Sequence, residues 1–325
     1  MFRRALLAAA CGLGLALPAA AQTAPDCPRG ALDARFCDRD GDLVADTPTD
    51  PRQIVDPPVL VFAYTPVEDP AVYRRVFEGF LNHLSRVTGK RTQFFAVQNN
   101  AAQIEAMRAG RLHIAGFNTG GTPLAVNCAG FVPFAVMASN AGEFGYEMEI
   151  IVRADSPIRT MEDLRGRSLA FTSQTSNSGF RVPSALLRDQ FNMLPDRDFR
   201  AAFSGSHQNS IMGVANRDYE AAAIANEVLF RMAARGVVNR DAFRTIYKSA
   251  TFPTTGYGYA HNLAPQLQER IREAFFTFNW EGSELAREFG NSIPPMQRFL
   301  PITYRQHWEV VRQSDAAVGV QYRCQ

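Results

Sequence analysis

Apolar residues recur along this chain in two rhythms. The run Val59-Leu60-Val61-Phe62-Ala63-Tyr64 is short, continuous and bounded by turn residues, as strands buried on both faces of a parallel sheet usually are. Tyr73, Phe77, Phe80, Leu81 and Leu84 then repeat at helical spacing up to Gly89, and residues 91–97 read as a second strand. The alternation continues with a helix over 101–109, a strand over 112–115, and strands over 131–137 and 146–152 flanking a turn at Gly142. A second series follows: a short helix at 161–164, strand 168–171, a helix from about Ser178, strand 199–203, a helix over 209–216, strand 219–224 and a helix over 226–234. Beyond that the chain reads as mostly helical, with Leu267, Ile271, Ala274, Phe275 and Phe278 forming one stripe. Strands and helices alternating through short connections predict an α/β protein with parallel sheets covered on both faces.

The two ends break this pattern. Residues 1–21 join Arg3 and Arg4 to an apolar stretch and close on Ala19-Ala20-Ala21, which predicts a secretory signal peptide and a protein exported to the periplasm. The alanines before Cys11 make a poor lipobox. No later segment approaches the roughly 18–20 apolar residues that span a bilayer. Residues 22–57 are rich in Asp, Pro and Thr, lack either rhythm, and read as an N-terminal extension ahead of the folded body. The whole chain carries 34 basic and 32 acidic residues, and loss of the leader's two arginines leaves no net charge. Nucleic acid is not an expected partner.

Within the extension, Asp38, Asp40, Asp42 and Asp46 stand around the turn glycine Gly41. They resemble the short calcium loops of thrombospondin type 3 repeats, because alternating side chains converge on one hard cation. A solvated acidic turn would carry the same residues. Cys27, Cys37, Cys128 and Cys324 remain after the leader, and an oxidising compartment allows three pairings. Cys27 with Cys37 closes the shortest loop; Cys128 then either joins Cys324 or stays a buried thiol.

Chemistry concentrates in Thr172-Ser173-Gln174-Thr175-Ser176-Asn177-Ser178-Gly179, a hydroxyl-rich turn between a strand and a helix. Such a turn aims unpaired N–H groups and the positive end of a helix dipole at one point, where a compact anion fits. His207 lies on a second strand-to-helix turn and can donate to an oxyanion, gaining charge as the anion arrives. Glu227 follows strand 219–224, at the end of the sheet where ligands of open α/β folds bind. There is no Gly-x-Ser-x-Gly elbow, Walker loop or His-Glu-x-x-His motif. The remaining enzymatic reading would make His207 and Glu227 an acid–base pair.

At these segments the chain resembles the PhnD-like phosphate, phosphite and phosphonate-binding proteins of ABC transporters. The likeness lies in Tyr64-Thr65-Pro66-Val67-Glu68-Asp69-Pro70, in residues 106–116, and most specifically in Thr175-Ser176-Asn177-Ser178-Gly179-Phe180-Arg181-Val182-Pro183. It implies a two-lobed type II periplasmic binding fold with a hinge cleft: lobe one from 58–140 plus 246–325, lobe two from 141–245. It implies no required cofactor, a small oxyanion as ligand and a membrane permease as partner. Ser176, Asn177, Ser178, His207 and Tyr64 would hold the phosphoryl oxygens, with Phe117 or Asn118 on the opposite wall. The chain departs from the family at Thr255, which replaces one of two carboxylates that receive a ligand amine while Glu227 matches the other, and at Asn177, where Thr is usual. A related role is sensing, in which the loaded protein signals to a membrane histidine kinase; Cys128 would be the candidate arsenite ligand.

Overall fold

A computed structural model describes residues 27–317 and 319–324; the expected leader lies outside them. The chain runs β1 (Val59–Tyr64), α1 (Pro70–Thr88), β2 (Arg91–Phe94), α2 (Asn100–Arg108), β3 (Ile114–Phe117), α3 (Gly121–Ala129), β4 (Phe131–Ala138). It then crosses to β5 (Tyr146–Arg153), β6 (Ser168–Phe171), α4 (Val182–Phe191), β7 (Arg200–Phe203), α5 (His207–Asn216), β8 (Ala221–Ala225), α6 (Asn226–Ala234) and β9 (Phe243–Phe252). It returns through β10 (Gly256–Ala260), α7 (Pro265–Thr277), α8 (Glu284–Phe289), β11 (Arg298–Pro301), α9 (Tyr304–His307) and α10 (Glu309–Ala317).

Two sheets result, ordered β11-β4-β10-β3-β1-β2 and β7-β6-β8-β5-β9. Each is mixed. In the first, β1 is parallel to β2 and β3, whereas β10 is antiparallel to β3 and β4. In the second, β6 is parallel to β7 and β8, and β5 is antiparallel to β8 and β9. The expectation of purely parallel sheets is corrected by the returning strands, which enter after a direct crossing and not after a helix. The helical reading of the last third is also corrected, since β9, β10 and β11 all lie there.

The second crossing also moves. Because β9 stays paired with β5 as far as Phe252 opposite Tyr146, the chain leaves the second sheet over residues 253–255 and not at 245/246. The first crossing spans 139–145. Helix α1 shows how the first lobe closes: Asp69 caps it by accepting from the Ala71 N–H at 2.9 Å, and Gly89 ends it at φ +70°. Its buried face sets Phe80 against Phe275 and Phe299, with ring centroids 4.7 and 5.4 Å apart.

The N-terminal extension is part of the body and not a segment ahead of it. Leu32, Phe36, Val44 and Ala45 are buried in the first-lobe core. The Asp33 N–H donates to Asn127 O at 2.8 Å, and Val55 bridges Leu263. Disulfides join Cys27 to Cys37 and Cys128 to Cys324. Of the four aspartates proposed for a cation, Asp38, Asp40 and Asp42 gather, with one oxygen of each within 4.8 Å of the others. Asp46 stands apart because its Oδ2 accepts from the Arg39 backbone N–H and guanidinium, both at 3.0 Å.

Candidate functional site

The hydroxyl-rich turn leaves β6 and winds into one π-helical turn, Asn177–Arg181, that opens α4. Ser176 caps it, its Oγ accepting from the Gly179 N–H at 2.9 Å. Only glycine fits at 179: a Cβ there would lie 1.9 Å from Thr172 Oγ1. The turn is thereby drawn tight, and Asn177 and Ser178, at a helix start whose first N–H groups lack intrahelical partners, line the space between the lobes. Thr175 points across it, accepting from Asn100 Nδ2 of the first lobe at 2.9 Å.

His207 begins α5 and reaches the same place. Its Nδ1 accepts from the Ala225 N–H at 3.1 Å, which leaves Nε2 as the protonated nitrogen, 3.4 Å from Ser176 Oγ. Burial, reinforced by the nearby Arg231 charge, lowers its pKa to about 4. The gain of charge expected from the sequence is therefore opposed twice, by desolvation and by the N–H already bound at Nδ1. His207 donates as a neutral group.

Two adjoining hollows lie between the lobes, sharing Val67, Asn118, Ser176 and His207. Both are small, about 30 and 20 Å³. The inner one is lined further by Thr119, Tyr146, Asn177, Ser178, Glu227 and Thr255. No lysine or arginine lines either among the described residues. Grooves of about 320 and 410 Å³ elsewhere do not contain the hydroxyl turn.

The other residues singled out from sequence take distinct places. Asn118 lines both hollows while its Oδ1 accepts from the Gly121 N–H at 2.7 Å. Phe117 points the opposite way, as successive strand residues do, and packs edge-on to Phe131 in the core. Tyr64 is buried against Tyr73 and Phe77, with its hydroxyl 3.4 Å from Thr255 Oγ1 behind the inner hollow. Glu227 faces that hollow, its pKa raised by burial and restrained by Arg231, whose Nη1 lies 3.5 Å from Oε2.

Residues not anticipated complete the walls. Asn177 Nδ2 donates to the Tyr146 hydroxyl at 3.2 Å. Thr119 is fixed at the hinge: its Oγ1 donates to Pro253 O at 2.7 Å and its carbonyl accepts from Trp308 Nε1 at 2.9 Å. Gly120 brings the lobes together, since a Cβ there would lie 2.4 Å from Thr175 O. Only the i,i+4 spacing of Glu227 and Arg231 left a sequence trace of the ionic cluster beside the pocket.

As an acid–base pair His207 and Glu227 are poorly disposed, for Nδ1 is engaged by Ala225 and the carboxylate by Arg231. Cys128, on which the arsenite-sensing role leaned, has no free thiol because it is joined to Cys324.

Comparisons with known proteins bear on the family and the fold. The sequence model of the family described as "ABC transporter, phosphonate, periplasmic substrate-binding protein" matches residues 62–307. The phosphate-import protein PhnD of Mycolicibacterium smegmatis is 25% identical over 229 residues, 67% of this chain and 71% of that protein. The phosphonates-binding periplasmic protein of Escherichia coli is 26% identical over 211 residues, 64% of this chain and 62% of its own length. A binding protein component of an ABC phosphonate transporter from Pseudomonas aeruginosa superposes with a TM-score of 0.72 at 23% identity, covering 80% of this chain and 86% of the other. PhnD1 of Prochlorococcus marinus, solved with methylphosphonate, gives 0.69 at 14% identity over 82% and 100% of the two chains. The aliphatic sulphonate-binding protein SsuA of Escherichia coli shares the fold at 0.53 and 16% identity, over 81% and 87%. These relatives are binding proteins and not enzymes, the fold is that of the type II periplasmic binding proteins, and the chain belongs to the family of periplasmic substrate-binding proteins of phosphonate ABC transporters.

Proposed function

We propose that the protein, exported by residues 1–21, captures a compact phosphorus oxyanion such as phosphate, phosphite or methylphosphonate in the interlobe cleft and presents it to a membrane permease. The observation that carries this reading is the convergence of Ser176, Asn177, Ser178 and the neutral His207 Nε2–H on a hollow of about 20 Å³. Neutral donors aimed at one point stabilise an oxyanion without a cationic side chain. Asn118 and Thr255 face the same space from the first lobe and the hinge. An aminoalkyl tail would meet Glu227 already engaged by Arg231, with Thr255 in place of a second acid. The phosphate-import and methylphosphonate-bound relatives are consistent with the compact class.

Thermal-shift and calorimetric titration against phosphate, phosphite, methylphosphonate, 2-aminoethylphosphonate and sulfate tests this, because a ligand that binds only the folded state raises its stability. The expected outcome is saturable binding of one or more of the three compact phosphorus anions. Ser176→Ala with Ser178→Ala is expected to weaken that binding at least tenfold, since a hydrogen bond to a charged group contributes about 1.5–3 kcal/mol. Unchanged affinity in the double variant would remove the hydroxyl turn from the site.

A further inference from the structure

The acidic turn of the N-terminal extension has features that a merely solvated turn lacks. Asp38, Asp40 and Asp42 bring one carboxylate oxygen each to within 4.8 Å of one another. Oxygens bound to a single calcium ion at about 2.4 Å can stand no farther apart than about twice that distance. Asp38 is only 8% exposed. Its Oδ2 accepts from the Leu43 N–H at 3.1 Å, but Oδ1 is buried and has no hydrogen-bond partner among the described residues. A carboxylate oxygen removed from water and left unpaired is strongly disfavoured unless a cation meets it.

Protein groups do not supply that cation. None of the three aspartates forms an ion pair among the described residues, and neighbouring Arg39 is turned to Asp46. Asp40 and Asp42 each accept a single backbone N–H, from Asp42 at 3.2 Å and Val44 at 3.0 Å. Both side chains are otherwise exposed, open to an ion that keeps part of its water shell.

We propose that Asp38, Asp40 and Asp42 bind one calcium ion that fixes the N-terminal extension to the first lobe. Calcium suits the site better than magnesium, because it accepts six to eight oxygens in irregular geometry, whereas magnesium demands a near-ideal octahedron. The turn is anchored on both sides: Cys37, next to Asp38, is disulfide-bonded to Cys27, and Gly41 O accepts from Arg305 Nη1 at 3.0 Å. Beyond it, Val44 and Ala45 enter the core and Asp46 O lies 2.9 Å from His261 Nδ1. An ion here stabilises the docking of the extension, independently of what occupies the cleft.

The test uses the whole mature chain, stripped with EGTA and exchanged into calcium-free buffer, with thermal unfolding followed as CaCl2 or MgCl2 is added. Terbium luminescence gives the stoichiometry. One terbium site displaced by calcium is expected, with a saturable rise in Tm on the order of 4 °C at millimolar calcium and a clearly smaller rise with magnesium. Asp40→Asn with Asp42→Asn, at exposed positions, is expected to lose the calcium response while keeping the calcium-free Tm. Absence of a calcium response in the unsubstituted protein, an equal response to magnesium, or a response surviving in the double variant would each overturn the proposal.

Discussion

Two polar regions lie side by side between the lobes, and they are built from opposite materials. The pocket is lined chiefly by hydroxyls, amides and a neutral imidazole, with Glu227 as its one carboxylate among the described residues. Beside it sits an ionic cluster with almost no access to water: Arg231 and Glu68 have fully buried side chains and pair at 3.0 Å, while Arg235 bridges Glu68 and Glu288. Glu68 and Glu288 belong to the first lobe; Arg231 lies on α6 of the second and Arg235 caps that helix. Arg231 also lies 5.1 Å over the Phe289 ring. Formal charge thus joins the lobes, while the proposed pocket offers mostly dipoles. A guanidinium in the pocket would attract anions of any geometry, whereas fixed neutral donors reward only oxygens placed where they point.

The strongest way to break this division is to remove the charge from the cluster. Arg231→Met leaves Glu68 buried with only Arg235, and a loss of about 3–5 kcal/mol is expected in urea unfolding. Adding Glu68→Met should restore much of it if the cluster acts as a pair across the cleft. A smaller effect separates the histidine from both regions. With its pKa lowered to about 4 from an ordinary value near 6.5, His207 must stay neutral in the folded state while the unfolded chain takes up a proton. Its contribution is fully present above about pH 6.5 and is lost as pH falls towards 4, by about 3 kcal/mol in all. Glu227, whose pKa is raised, acts in the opposite sense. The measured quantity is therefore the difference between the unsubstituted protein and His207→Gln, compared by Tm from pH 7.5 to 4. The smallest expected effect sharpens the contrast most: ligand affinity should change less than about twofold between 50 and 500 mM sodium gluconate, since no exposed cation lines the pocket for salt to screen. A steep decline would mean that charge reaches the ligand after all.

How much of this was legible depended on where each residue sits in the sheets. β1 and β6 announce themselves as apolar runs between turns because they are central strands. β9 is an edge strand whose Lys248, Ala250 and Thr251 are exposed, so no apolar run marks it. β10 carries Gly256 and Gly258, and Gly258 is needed because a Cβ there would lie 2.2 Å from Val132 O. The turn at Ser176–Ser178 and the turn at His207 could be read because strand-to-helix junctions are local. Asn100 and Thr119 could not, since they meet the turn only where the two lobes come together, and Tyr146 could not because it meets it only through the order of strands in the second sheet. Strand alternation could have separated Asn118 from Phe117, had the edges of β3 been known.

A close approach of the lobes at Gly120 bears on how the two halves of the task are divided. At Gly120 the second lobe comes so near that one methyl group would act as a doorstop against Thr175 O. The hydroxyl turn, His207 and Glu227 all belong to the second lobe and would stay together on it, the turn meeting the methyl through its backbone at Thr175 O and Asn177 N. On the function proposed above, a chain with alanine at 120 would still meet its ligand on one surface while failing to shut, so that capture and the shape offered to the membrane could be inherited as separable traits.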